Sequence, residues 1–248
     1  MAVPTQYPQK LYHLPKPSEV AAGPDLGHPT LNGINLKVAW WNVPGRIKPA
    51  GGGHAVNEVT KEVATVPVGI TSEGPWALFD NASKFQFNGI QNWDSNPLFI
   101  LAICHSNTAD SAHTICQHGN NGGNRGWKMQ NNWGARFRYT ASGIAHYETA
   151  VSVTTSCSCM ALTRRGTTGL KYSDHTNNGA LALLATDTVS SNWNDQTDGT
   201  DAFHIGGIDS GAEYWDGYIA AILCGIGHPS KEQLQAILDD PWACWRRR

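Results

Sequence analysis

Apolar and polar positions alternate along most of this chain in short runs, and the period changes only once, close to the C-terminus. The run 36–41 (LKVAWW), the stretch 58–68 (EVTKEVATVPV) after the glycines Gly51 to Gly53, and the segment 77–90 with Phe79, Phe85 and Phe87 show the two-residue repeat of strands. PLFILAICHS at 97–106 is apolar almost throughout, as a strand covered on both faces requires. GWKMQNNWGARFRYT at 126–140 predicts a hairpin turning at Asn131, Asn132 and Gly134. One long alternating span, 147–165, is followed by a short strand from Gly169 with a turn at Asn177 to Gly179, then by AFHIGG at 202–207. Alternation from Tyr214 to Ile222 predicts a last strand with one face buried. The total is about ten to fourteen strands, antiparallel because the connections are too short for helical crossovers, and therefore two sheets packed face to face.

The change of period follows. Leu234, Ile237 and Leu238 stand at helical spacing, Ser230 and Gln233 form a capping box that opens a helix, and Pro241 closes it. The expectation is that this helix covers one open end of the sandwich, with Trp242 and Trp245 against the apolar surface beside it. At the other end of the chain, residues 1–30 hold six prolines and no sustained periodicity, so they are expected to run as an extended arm, or as a loose terminus, ahead of one domain at 31–248. Tyr7, Leu11, Tyr12 and Leu14 are the arm's candidate interface residues.

Composition narrows the function classes. With 248 residues, a net charge of -2 and 15% charged residues, the overall balance calls for no nucleic acid, membrane surface or acidic substrate. The first residues carry no apolar stretch behind a basic start, and the longest apolar run, 219–226, is too short to span a bilayer, so a soluble protein made in a cytoplasm is expected. Six cysteines, mostly within apolar segments, read as buried free thiols. Twenty-six glycines and ten tryptophans favour tight turns together with either a thick core or aromatic contact surfaces.

Candidate chemistry is sparse. A sugar-cleaving sandwich needs two or three carboxylates projecting from one strand face, and no Glu-x-Asp-x-x-Glu occurs; Glu58 and Glu62 read as a solvated face. No Gly-x-Ser-x-Gly is present, and GNNGGNRGW at 119–127 lacks the lysine and helix of a phosphate loop. His113, Cys116 and His118 bring zinc to mind without a second paired cluster, and Cys157 and Cys159 share one face of a strand, which suits core packing. Asp195, Asp198 and Asp201 form a late acidic cluster that could take calcium or simply serve turns; no other cofactor is implied. Trp127, Trp133 and Trp193, each in a polar loop context, are candidates to stack on sugar rings. Arg246 to Arg248 form the one local charge run.

Four segments, in order, carry a family resemblance: GHPTLNGINLKVAWW (27–41), FNGIQNWDSNPLFILAICHS (87–106), SCSCMALTRRGTTGLKYSDHTNNG (156–179), and Tyr214-Trp215-Asp216-Gly217 with the helix and Pro-Trp that follow. Together, over about residues 27–245, they resemble the laminin-G-like or concanavalin A-like jelly-roll domains, particularly those of tailed-bacteriophage structural proteins. The glycine expected after Asp174 is replaced by His175. The resemblance implies an all-β, concanavalin A-like two-sheet antiparallel jelly-roll sandwich with one short C-terminal helix and an extended N-terminal arm. It further implies a non-enzymatic virion protein, a capsid decoration subunit or a tail or fibre component, assembled in the host cytoplasm. Its partners would be major capsid or tail proteins and copies of itself, with a trimer as the expected oligomer. The alternative is a carbohydrate-binding module that attaches to surface glycans.

Overall fold

The computed structural model describes residues 28–43, 45–88, 98–108, 113–119, 127–132, 136–141, 145–152, 159–165, 168–173, 180–188 and 202–239. The chain runs through β1 (Asn35–Trp41), β2 (Gly53–Val56), β3 (Val63–Val66), β4 (Ile70–Glu73), β5 (Trp76–Asp80), β6 (Phe85–Phe87), β7 (Leu98–Ser106) and β8 (His113–His118). It continues through β9 (Trp127–Asn132), β10 (Arg136–Ala141), β11 (Ala145–Ser152), β12 (Cys159–Arg165), β13 (Thr168–Ser173), β14 (Ala182–Thr188), β15 (Phe203–Ile205) and β16 (Asp216–Ile226). A single helix, α1 (Lys231–Asp239), follows. The described chain is therefore an all-β sandwich with one short helix. Residues 1–27 of the expected arm, Tyr7, Leu11, Tyr12 and Leu14 among them, lie outside the described residues, and its last positions enter a 3₁₀ turn at Pro29–Leu31.

Eight strands form the larger sheet, in the order β14-β13-β12-β7-β16-β5-β4, with β1 also paired to β16. Six form the smaller one, β11-β10-β9-β8-β15-β6, and β2 pairs with β3 as a separate hairpin. Every pairing is antiparallel. The strand count exceeds the ten to fourteen expected, because the single alternating span at 147–165 is split between β11 in one sheet and β12 in the other. Likewise Phe79 belongs to the larger sheet and Phe85 and Phe87 to the smaller, the chain crossing between sheets at Asn81 in a left-handed conformation, φ 59. Phe79 and Phe85 stack across the gap with centroids 6.2 Å apart.

Strand β16 is the hub. One of its edges pairs with β7 along its length, and the other is shared end to end by β5, at Asp216 to Ile219, and β1, at Ala221 to Ile226. A bulge between Ile219 and Ala221 resets the alternation, so Ile219, Ile222 and Cys224 all face the smaller sheet. The expectation of one buried face is corrected here, because Tyr218, Ala220 and Leu223, on the opposite face, are buried as well. At Gly217 the strand makes a close approach: φ is +144, and a Cβ there would lie 2.1 Å from the His105 carbonyl oxygen.

The larger sheet thus separates two apolar layers. Between the sheets lie Trp40, Phe79, Phe87, Ile100, Ala102, Cys116, Met129, Phe203, Trp215 and Ile222. On its outer side lie Leu36, Trp41, Trp76, Phe99, Leu101, Ile103 and Leu223, covered by Leu234, Ile237 and Leu238 of α1. The two-faced character expected of 97–106 is realised in β7, whose residues enter the two layers alternately. The helix does not close an end of the sandwich as expected; its apolar stripe is needed on the sheet's outer face, which would otherwise be wet. The hairpin β2–β3 instead reaches the inner layer, through Ala55, Ala64 and Val66. Trp242 and Trp245 lie outside the described residues.

Candidate functional site

The smaller sheet turns one side to the inner core and the other away from it. In strands β6, β15, β8 and β9 the inward positions are Phe85 and Phe87, Phe203 and Ile205, Cys116, and Met129. The residues between them point outward, and pairing places Gln86, His204, Gln117 and Lys128 opposite one another in a row across four strands. Thr114 and Gln130 form a second outward pair. A sheet face exposed to solvent would leave such groups wet. Here His204, Gln117, Lys128, Thr114 and Gln130 are all buried.

The segment Gly206 to Tyr214 accounts for part of this cover. It leaves the sheet at Gly206, whose φ of +84 and close approach to the Phe79 ring exclude a side chain (a Cβ would sit 2.3 Å away). Its ends are pinned: Gly206 N–H donates to the Ile115 carbonyl at 2.9 Å, Trp215 N–H to the Gly206 carbonyl at 3.0 Å, and Thr114 N–H to the Glu213 carbonyl at 2.8 Å. Between these pins the loop meets the sheet through polar groups. The Asp209 N–H donates to Gln117 Oε1 at 2.8 Å, and Gln117 Nε2 donates back to Asp209 Oδ1 at 3.4 Å. Lys84 Nζ donates to the Asp209 carbonyl at 3.1 Å and lies 3.2 Å from His204 Nδ1. Lys128 Nζ and Thr114 Oγ1 both donate to Glu213 Oε2, at 2.6 and 3.0 Å.

Electrostatics follow from the burial. Loss of water pushes the His204 pKa down to about 4; Lys84 and His118 push the same way, and Asp209 opposes them. His204 is therefore neutral at pH 7, which leaves its Nδ1 free to accept from Lys84. Burial also lowers the Lys84 pKa, with Asp209 opposing. Beneath the loop the site thus gathers amide, imidazole, hydroxyl and ammonium groups in one buried patch, a mixture of donors and acceptors of the kind a polyhydroxylated ligand matches.

Most residues singled out from sequence fall elsewhere. Trp133, Trp193, Asp195, Asp198 and Asp201 lie outside the described residues; Trp127 opens β9 opposite His118 and Ala141, and its side chain is likewise undescribed. His113, Cys116 and His118 all lie on β8: His113 holds the Tyr214 carbonyl through Nδ1 at 2.5 Å and meets the Thr108 hydroxyl through Nε2 at 2.9 Å, while Cys116 is in the inner core. Among the described residues no three His, Cys, Asp or Glu side chains come together as a metal-binding group. Glu58 is not on a solvated face: it is 5% exposed and paired with Arg46 and with Lys61, the latter at 2.9 Å, because the chain turns back at Asn57 to Lys61 before β3 begins. Glu62 accepts the Asn88 N–H.

The row at Gln86, His204, Gln117 and Lys128 was missed in the sequence, although FQF, FHI, HTICQH and WKMQ each show a polar residue between core residues. Its second signal is the glycine-rich acidic segment GGIDSGAE at 206–213.

No protein-family model matches the chain, and comparison with curated proteins found no match. Solved structures do share its fold. A Trypanosoma rangeli sialidase in complex with 2,3-difluorosialic acid aligns over 96% of this chain and 38% of its own length, at 11% identity and a TM-score of 0.59. The chain thus spans well under half of that protein. Domain 4 of a GH43 extracellular arabinanase from Geobacillus stearothermophilus, in complex with arabinotriose, aligns over 83% of this chain and 99% of its own, at 12% identity and a TM-score of 0.55. The likeness is one of fold.

Proposed function

We propose that this chain is a non-enzymatic carbohydrate-binding module whose ligand face is the outward side of the smaller sheet. The observation that carries this reading is the row Gln86, His204, Gln117 and Lys128, which sets hydrogen-bonding groups in register across four strands. Sugar hydroxyls each donate and accept, so they suit a patch of amide, imidazole and ammonium groups better than an apolar partner would. Further support comes from the arabinanase domain, which has this fold along nearly its whole length and carries arabinotriose. Both described acids of the patch, Asp209 and Glu213, are held by hydrogen bonds to the sheet, which suits a role in shaping it rather than in cleaving a glycosidic bond.

The test is a glycan array followed by calorimetry with arabinotriose and the strongest array ligands. Binding is expected, with a loss of tenfold or more in H204A and Q117A and no release of reducing sugar. An array silent for the folded wild type overturns the reading, and turnover of a bound glycan overturns its non-enzymatic part.

A second reading, a virion subunit of a tailed bacteriophage, has the order of the four sequence motifs behind it and one surface feature. Val63, which opens β3, and Val68, two residues past its end, are 63% and 74% exposed and offer apolar area to a neighbouring subunit. It expects a trimer in sedimentation and attachment to heads or tails; a monomer that attaches to neither removes it.

A further inference from the structure

Lys128 is a buried ammonium on a sheet face, and its counter-charge comes from a loop. It rises from β9 and Thr114 from the neighbouring β8, and both converge on one oxygen of Glu213, at 2.6 and 3.0 Å. Glu213 reaches them from a left-handed backbone, φ 51, which a residue with a side chain adopts at a cost. The loop that delivers it contains Gly206, Gly207 and Gly211, and its tip is tied to the sheet mainly through Asp209, Gln117 and Lys84. Two strand residues therefore form a seat for a carboxylate, and a strained, glycine-rich loop fills it.

We propose that Glu213 stands in for the carboxylate of an acidic sugar, and that a uronic acid or similar carboxylate-bearing residue of a glycan binds by displacing the loop from Lys128 and Thr114. This inference rests on the glycan-binding reading and names the ligand class for the same face. The exchange has to be carboxylate for carboxylate. Removing Glu213 in favour of a neutral sugar would leave the Lys128 ammonium unpaired in a poorly hydrated position, which is costly, whereas an incoming carboxylate keeps the pair. Glu213 then acts as an internal competitor that sets a threshold for acidic ligands. Asp209 and Gln117 release together with it, freeing the amide of Gln117 for the ligand's hydroxyls. Lys84 and the neutral imidazole of His204 remain at the edge of the opened face.

The test uses the full chain, with sodium glucuronate as probe and glucose plus sodium chloride at the same ionic strength as control. Amide exchange of residues 208–214 is expected to rise at least fivefold with glucuronate and to stay unchanged with glucose. E213Q, which keeps the shape and removes the charge, is expected to bind glucuronate about tenfold more tightly than wild type, and the double variant K128Q/E213Q to lose that gain. If loop exchange is unmoved by glucuronate and E213Q binds it no more tightly, Glu213 is only an anchor and the inference falls. Should E213Q fail to fold, the exchange experiment on wild type decides alone. Neutral glycans bound at this face alongside indifference to glucuronate would sink this inference and leave the carbohydrate-binding reading standing. Silence towards sugars of both kinds would sink both.

Discussion

His204 is a histidine that the fold keeps uncharged, and that has a consequence for stability. Its pKa is about 4 in the folded chain, against about 6.5 for an unperturbed imidazole. Between those values the unfolded chain takes up a proton that the folded one refuses, so stability contributed by this site is complete above about pH 6.5 and is lost as the pH falls towards 4. At about 1.4 kcal/mol per pKa unit the ceiling is roughly 3 kcal/mol. H204Q, which keeps a hydrogen-bonding group beside Lys84, is expected to flatten that dependence, read as the difference in urea midpoint between pH 7 and pH 4.5. Little of this could be read in the sequence. That His204 alternates with Phe203 and Ile205 was visible, but its neutrality depends on Lys84 and Asp209, which the fold brings to it from other segments. Glu58 teaches the same lesson: its partner Arg46 lies twelve positions earlier, and spacing alone could not show that the two would meet in a part-buried pair.

At the scale of elements, the local signals held and the destinations did not always follow. The capping box at the start of α1 is formed reciprocally, Gln233 N–H to Ser230 Oγ at 3.2 Å and Ser230 N–H to Gln233 Oε1 at 2.9 Å. An apolar stripe states that a face is buried but not what buries it, and so the helix could be read while its seat on the outer side of the larger sheet could not. Two variants separate the contributions by chemical denaturation. S230A is expected to cost about 1 kcal/mol, the usual worth of an N-cap, whereas L234A should cost about 2–5 kcal/mol because it opens a cavity in the outer layer. The hairpin β9–β10 was legible from its alternation, although Asn131 and Asn132, read as turn residues, belong to β9 and pair with Phe137 and Arg136; β7 was legible from its unbroken apolar run. Strand β16 begins at Asp216 rather than Tyr214, and it was read as one-faced because alternation in the sequence does not show the bulge between Ile219 and Ala221.

For the whole molecule, the all-β two-sheet class was legible from alternation and short connections, but the allocation of strands to sheets was not. Alternation looks alike in either sheet, and that is why 147–165 read as one strand although β11 and β12 are in different layers. Because β7 and β16 supply both apolar layers, the layers should fail together. Scanning calorimetry of F99A, in the outer layer, and I222A, in the inner one, is expected to give a single transition in each, lowered by an amount equivalent to about 2–5 kcal/mol; two separate transitions in either variant would show independent layers. The position of β16 also governs the order of events at the ribosome. It is made after the fifteen other described strands, yet β1, β5 and β7 all pair with it. A nascent chain therefore carries those three strands without their common neighbour until residue 226 has cleared the exit tunnel, and the larger sheet can close only around a segment delivered last.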